Sequence, residues 1–181
     1  DAFTARGEYD RATADLVQFY KENTQSRHLD LIKGRIVRNL AENIKAAVDR
    51  NDFFQSLRLY SRDQSGWLKG VKRGDLPYFA GRSFEQAGVY DEAATYYGEA
   101  LKRIDGVKPA DRDVFENEIS VESLHLRLAA VSAKEKKFSQ AESELKKVKN
   151  TEKLTPKEKV ERADLASALR HHTDLIVMGT H

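Results

Sequence analysis

Residues suited to catalysis or metal binding are few in this chain, and their spacing forms no catalytic pattern. There is no cysteine, which excludes disulfides, thiolate metal ligands and cysteine nucleophiles. His171 and His172 are adjacent, so on a helix their side chains point about 100° apart and do not converge on one metal ion, even with His181 near. A glycine-rich phosphate loop, a nucleophile elbow and a paired-histidine metal motif are all absent. We therefore expect no catalysis, no metal and no cofactor.

A group of lysines in the C-terminal third is the one local basic feature. Acting together, these lysines could bind RNA or an anionic lipid surface. Glu135, Glu142 and Glu144 are interleaved with them, which favours an ordinary solvated helix face, and we expect no nucleic-acid partner. RNA binding through this face is kept as an alternative. The lysines are Lys134, Lys136, Lys137, Lys146, Lys147 and Lys149.

Composition favours a folded, helix-rich protein. The 181 residues are 40% hydrophobic and 33% charged with only 10 Gly and 3 Pro, which argues against disorder and against a turn-rich β-sandwich. The formal net charge of +2 gives too weak a field to indicate a nucleic-acid partner. No apolar run approaches the roughly 20 residues of a membrane span. We expect soluble material, cytoplasmic or periplasmic, and because the chain begins with Asp1 rather than Met, a fragment of a longer protein.

Apolar residues recur with helical spacing along most of the chain. Stripes at i, i+3, i+4 and i+7 predict four related helices, of which the second is the poorest because Ser56 stands where an alanine is expected. Another helical segment and a tight turn precede each of the last three stripes. The stripes cover residues 9–19, 53–60, 90–104 and 138–148, and the preceding segments cover 36–50, 76–87 and 121–136.

The last helix has a clear start signal. Thr155-Pro156-Lys157-Glu158 is a capping box with proline at the first helical position, which predicts a helix running through Val160, Leu165 and Leu169. No period-2 alternation is long enough for a sheet. The sequence therefore predicts an all-α fold, an α-α superhelix of antiparallel helix pairs, as a single domain over residues 1–181.

Small and large residues alternate in the segment 81–101. Two antiparallel helices that pack closely need small residues where their backbones approach, and large ones to fill the space beside the crossing. We expect Gly81 and Ala93 at the crossing and Gly88 in the turn. Aromatic residues would fill the space around the crossing, namely Phe84, Tyr90 and Tyr97.

This arrangement resembles the tetratricopeptide repeat (TPR), a helix-turn-helix unit of about 34 residues. The best match runs from residue 74 to 107. A second unit matches well, although Lys136 replaces its turn glycine and Ser132 an aromatic, and residues 7–12 resemble the second half of a repeat. The residues that carry the resemblance are Gly81, Phe84, Gly88, Tyr90, Ala93, Tyr97 and Ala100 in the first unit, and Phe138, Ala141 and Leu145 in the second.

The resemblance implies a scaffold for protein–protein interaction that does no chemistry and holds a partner peptide or helix in its concave groove. An acidic partner could pair with Arg82 and Lys45. Glu42 and Phe79 stand where chaperone-binding members place their clamp for a terminal carboxylate, so that ligand is not expected. End-to-end stacking into a homo-oligomer through residues 1–19 is also expected to be feasible. The groove residues that the resemblance implies are Arg38, Lys45, Tyr78, Arg82, Gln86, Ser123 and Arg127.

The C-terminal segment DLIVMGTH, residues 174–181, provides a different alternative. It is similar to the strand and loop start with which universal stress proteins bind nucleotide phosphates, and this implies a nucleotide-sensing protein. The further glycines and the preceding parallel strands of that family are absent from this sequence. We therefore expect the segment to be an apolar helix end or a strand-like tail, and keep nucleotide sensing as an alternative.

Overall fold

The computed structural model describes residues 7–108, 112 and 114–178, and within these ranges it contains helices and turns without a β-strand. Successive helices pack as adjacent pairs into a solenoid, which confirms the predicted fold class. The helices are α1 (Tyr9–Glu22), α2 (Leu29–Asp49), α3 (Phe53–Gln64), α4 (Asp75–Gln86), α5 (Tyr90–Ile104), the short α6 (Val114–Asn117), α7 (Val121–Lys134), α8 (Phe138–Lys146) and α9 (Pro156–Met178), with a 3₁₀ turn at Thr151–Lys153.

The helix pairs stack in chain order. The pairs are α2–α3, α4–α5 and α7–α8, with α1 packed on α2 at one end and α9 packed on α7 and α8 at the other. The pair α2–α3 contacts α4, and α5 contacts α7, so each pair rests on the next. Consequently α4 and α7, the first helices of two consecutive pairs, and the end helix α9 lie in sequence along the solenoid.

Two boundaries of the helical segments that precede the stripes differ from the sequence prediction by more than one residue. Helix α2 begins at Leu29 rather than at residue 36, because Ile32 is 8% exposed and extends the apolar face that continues at Ile36. The α7 helix ends at Lys134 rather than Lys136, because Lys136 has a φ of 60°, outside the right-handed helical region. Hydrophobic burial overrides the helix-weakening Gly34 in the first case.

The turn inside each helix pair has one repeated geometry. A residue with positive φ stands two positions before the second helix: Asn51 at 58°, Gly88 at 77° and Lys136 at 60°. The next residue donates its N–H to the carbonyl five positions earlier, and all three of these hydrogen bonds are 2.9 Å long. This is the left-handed C-terminal turn that usually contains glycine. The bonds join Asp52 to Ala47, Val89 to Phe84 and Lys137 to Ser132.

Small residues lie at the helix crossings. A Cβ atom on Gly81 would lie 2.8 Å from the ring carbons Cδ1 and Cε1 of Tyr97, so the Tyr97 ring of α5 fills the space that a side chain at position 81 of α4 would need. Ser56 and Ser83 occupy the corresponding crossing of α3 and α4, where both are fully buried and their hydroxyl oxygens are 2.8 Å apart. The fully buried alanines include Ala12 of α1 and, in the second helices of the pairs, Ala93, Ala100 and Ala141.

Aromatic side chains fill the space beside these crossings. The rings of Phe84 and Tyr96 stack with centroids 5.3 Å apart, and Tyr97 is fully buried. Trp67, in the segment between α3 and α4, meets Tyr20 of α1 edge to face at 5.2 Å. The core is therefore a series of apolar clusters: the first two are shared between neighbouring pairs, and the third lies between α7, α8 and α9.

The last helix begins where its start signal predicts. Thr155 and Glu158 form the reciprocal capping box, with the Thr155 N–H donating to Glu158 Oε2 at 2.9 Å and the Glu158 N–H donating to Thr155 Oγ1 at 3.3 Å. Residues 174–178 form the end of α9, so the strand-like alternative for them is wrong. Residues 179–181 lie outside the described ranges. In the part of the chain that the structure describes, no helix has both the length and the apolarity to cross a bilayer.

Candidate functional site

Four of the seven groove residues implied by the sequence line one pocket of about 190 Å³. Tyr78 and Arg82 come from α4, and Ser123 and Arg127 from α7. The start of α9 closes the pocket on a third side. Glu118, Thr155, Lys157 and Glu158 complete the lining. The pocket therefore lies where α4, α7 and the start of α9 meet, and we call it the groove pocket.

Arg127 is the buried centre of this pocket. Its side chain is 8% exposed, and its Nη1 donates to Glu85 Oε1 at 3.3 Å while its Nη2 donates to Glu161 Oε2. Burial alone would lower the pKa of Arg127, but the charges of Glu85 and Glu161 outweigh it and raise the pKa. The guanidinium is thus a fixed cation that joins α4, α7 and α9.

Glu85 is held by a second donor. The hydroxyl of Tyr97, which is fully buried, donates to Glu85 Oε2. Burial, and then the charge of Glu85, raises the pKa of Tyr97 well above its usual value, so the phenol stays protonated and keeps donating. The ring that packs on Gly81 therefore also fixes the carboxylate that pairs with Arg127, and the helix crossing and the pocket share one residue.

Arg82 is the more accessible cation of the pocket. Its side chain is 30% exposed, its Nη1 lies 3.4 Å from the Tyr78 hydroxyl, and its Nε lies 3.9 Å from Glu85. The Nε atom is buried and has no hydrogen-bond partner among the described residues. The Nε atom of Arg127 is likewise buried without a hydrogen-bond partner among the same residues, so the two arginines differ in exposure and in the length of their contacts. Arg82, which is more exposed and has only long contacts, is therefore the guanidinium better placed to bind an incoming group.

The other groove residues have partners within the chain. Lys45 pairs with Asp49 at 2.9 Å and with Glu118 at 3.7 Å, so it reaches the edge of the groove pocket through Glu118. The hydrogen bonds from Lys45 to Asp49, opposed by burial, raise its pKa. Arg38 and Gln86 are not brought to the pocket: the guanidinium lies 3.1 Å from Glu42, and the amide of Gln86 donates to Asn51 at 2.8 Å.

Ser123 lines the groove pocket but is already hydrogen-bonded. Its N–H donates to the side chain of Ser120, the residue that caps α7, and the two hydroxyls are 2.9 Å apart. Ser123 is 6% exposed. Its first role is therefore to fix the start of α7, which in turn positions Arg127 one turn further along.

Sequence reasoning missed the contribution of α9. The capping box showed where this helix begins, but only the packing of α9 on α7 brings Lys157 and Glu158 to the pocket and Glu161 to Arg127. Glu85 was missed because its pairing with Arg127 depends on how α4 and α7 are positioned in the stack. A buried arginine needs a carboxylate nearby, and this requirement was the one signal that pointed to such a partner.

The histidines and lysines considered for other chemistry have ordinary contacts. The rings of His172 and Phe138 have centroids 3.7 Å apart, and His125 Nδ1 lies 2.7 Å from Glu144. In the described ranges no three His, Asp or Glu side chains form a group that could hold a metal ion. On the lysine face, Lys137 pairs with Asp91 at 2.9 Å and Lys147 with Glu144 at 2.7 Å.

Comparison with known proteins assigns the chain to no family. No family model, no curated protein and no solved structure matches it. The functional conclusion therefore depends on the geometry of the groove pocket and of the helix pairs.

Proposed function

We propose that this chain is a protein-interaction scaffold of the TPR type, without catalysis, that holds a partner peptide or helix against α4, α7 and α9. The repeated left-handed turn, the small residues at the crossings and the pairwise stacking support the family resemblance. The gathering of four implied groove residues in one pocket supports the binding role.

The observation that carries this proposal is that an accessible arginine, Arg82, lies beside a buried one, Arg127. Arg127 is 8% exposed and pairs with Glu85 and Glu161, whereas Arg82 beside it is 30% exposed and makes only two long contacts, to the Tyr78 hydroxyl and to Glu85. A carboxylate entering the groove pocket gains charge-assisted hydrogen bonds from Arg82. Because Arg127 already neutralises Glu85, the incoming carboxylate meets little repulsion from it.

The partner feature we propose is one carboxylate flanked by hydrogen-bonding groups, and not a uniformly acidic segment. Besides Arg82 and Arg127, the pocket lining carries Lys157 but also Glu118 and Glu158, so its charges alternate. Such a lining selects the position of the carboxylate in the bound peptide as well as its charge, because a misplaced carboxylate would face Glu118 or Glu158.

A selection from a random peptide display library on the purified protein tests this function. We expect enriched peptides with a recurrent Asp or Glu. Arg82→Gln should raise their Kd roughly tenfold, because one charge-assisted contact to a guanidinium is lost. Arg58→Gln is the matched control, since Arg58 is an exposed arginine of α3 outside the pocket. Peptides that lack an acidic residue, or that bind Arg82→Gln as tightly as the unchanged protein, would refute the proposal.

A further inference from the structure

A second pocket, of about 410 Å³, lies between α3, α5 and the segment that joins α3 to α4. It shares no lining residue with the groove pocket. We call it the linker pocket. Its volume is within the range of roughly 300–1,000 Å³ that small-molecule sites occupy. It is lined by Tyr60, Gln64, Leu68, Lys69, Gly70, Val71, Lys72, Leu76, Glu99 and Arg103.

Part of the wall of the linker pocket is apolar. Tyr60, Leu68 and Leu76 are 7%, 7% and 2% exposed and belong to the first core cluster, and Val71 packs against that cluster. These core side chains supply the apolar part of the pocket lining, and polar and charged side chains supply the rest. An apolar ligand body would exclude water from this wall.

The linker segment is held in place before any ligand arrives. Arg103 Nη1 donates to the carbonyl oxygens of Val71 at 2.8 Å and Arg73 at 2.9 Å, and the Leu68 N–H donates to the Asp63 carbonyl at 3.0 Å. Gly70 has a φ of 75°, a conformation that side chains disfavour. The backbone that carries Lys69 and Lys72 is therefore fixed, so the binding of a ligand there costs little conformational entropy.

The charges around the linker pocket do not cancel. Arg103 and Glu99 form an ion pair with each other. Lys69 and Lys72 are exposed and have no carboxylate within 4 Å among the described residues, so the opening carries two positive charges in excess. Burial, and then the neighbouring Tyr96 and Glu99, raises the pKa of Tyr60 to about 12, so its phenol is protonated.

We propose that the linker pocket is a binding site for a small organic anion, in which a flat apolar body lies on Tyr60, Leu68 and Val71 and an acidic group meets Lys69 and Lys72. Carboxylates and phosphates share this chemistry. An organic cation is excluded because Glu99 is already paired and the remaining charges are positive. This site is independent of the groove function.

A set of naphthalene probes that differ only in their charged group tests the site. The probes are 2-naphthoate, 2-naphthyl phosphate, the neutral 2-naphthol and 2-naphthylmethylammonium, titrated into the ¹⁵N-labelled protein while amide shifts are recorded. We expect one or both anions to move the amides of residues 68–72 with a Kd at least about fivefold below that of 2-naphthol, since two lysines contribute. Comparison of the Kd values of 2-naphthyl phosphate and 2-naphthoate shows whether the site prefers a phosphate or a carboxylate.

Substitution of the two lysines completes the test. Lys69→Gln with Lys72→Gln should raise the Kd of the bound anion at least about fivefold, to about that of 2-naphthol. Lys21→Gln with Lys33→Gln removes two other exposed lysines and should change nothing. Equal binding of the ammonium probe, an unchanged Kd in the Lys69 and Lys72 variant, or shifts confined to other parts of the chain would overturn the proposal.

Discussion

Gly81 of α4 lies directly against the ring of Tyr97 of α5, so closely that a Cβ atom on Gly81 would be 2.8 Å from two ring carbons. The hydroxyl of the same tyrosine donates to Glu85, which accepts a hydrogen bond from Arg127 of the next helix pair. One close helix crossing thus sets both the packing of a pair and the position of the charged centre of the groove pocket.

Gly81→Ala should destabilise the protein by about 1–3 kcal/mol, because the added methyl group overlaps a fully buried ring that has no room to move. Gly98→Ala is the matched control: Gly98 is also inside a helix, yet nothing lies within 4 Å of its added Cβ. There alanine should stabilise by about 0.5–1 kcal/mol through its helix propensity. Urea unfolding measures the free energy of unfolding of both variants. Equal changes in the two would contradict the close contact between Gly81 and Tyr97.

Lys136→Gly should stabilise the protein by about 1 kcal/mol. Lys136 has a φ of 60°, where a Cβ atom is strained, and glycine removes that strain as it does in the equivalent turn at Gly88. Asn51→Gly should stabilise by less, since asparagine tolerates this conformation better than lysine. Thermal melting of the two variants compares the turns. A loss of stability in Lys136→Gly would mean that the lysine side chain stabilises the turn.

These turns also show how far the sequence predicts the fold. The helix pairs, the turn at Gly88 and the start of α9 were predicted because local patterns determine them: apolar spacing, a glycine and a capping box. The role of Glu85 and Glu161 at Arg127 was not, because an ion pair between helices far apart in the chain depends on their stacking. The linker pocket was missed for the same reason, since it joins α3, α5 and the segment between α3 and α4.

Arg127→Met should cost about 3 kcal/mol, because it leaves Glu85 and Glu161 without the cation that neutralises both. Glu161→Gln should cost less than about 1 kcal/mol, since Arg127 keeps Glu85 and an amide oxygen still accepts a hydrogen bond. Denaturant unfolding measures both variants, with Arg58→Met as the exposed control. Similar losses in the two groove variants would show that Arg127 does not hold the three helices together.

Stability should fall in acid partly through Glu144. Burial raises the pKa of Glu144, but hydrogen bonds from Lys147 and His125 outweigh it, so the pKa lies below its usual value. The unfolded chain therefore takes up this proton first as the pH falls, and the stabilising contribution is present above about pH 5 and is lost through the lower folded pKa.

The test of this contribution is a comparison of the unchanged protein with Glu144→Gln across pH. Their free energies of unfolding should differ by about 1 kcal/mol at pH 7 and converge as the pH falls through the lowered pKa of Glu144 in the folded protein. Glu92→Gln, at an exposed position of α5, should show no such convergence. A difference between the unchanged protein and Glu144→Gln that is constant from pH 7 to pH 3 would refute the role of the Glu144 carboxylate.

The central claim is that a partner docks in the groove pocket and not elsewhere on the solenoid. An amide chemical-shift map of the ¹⁵N-labelled protein with a peptide taken from the unbiased display selection tests it most directly. We predict that the largest shifts fall at residues 78–86 and 123–127 and at the start of α9, and that Arg82→Gln removes them at the same peptide concentration. Shifts centred on the exposed Phe54 or on the lysine face at residues 134–149, with residues 78–86 unmoved, would contradict the claim.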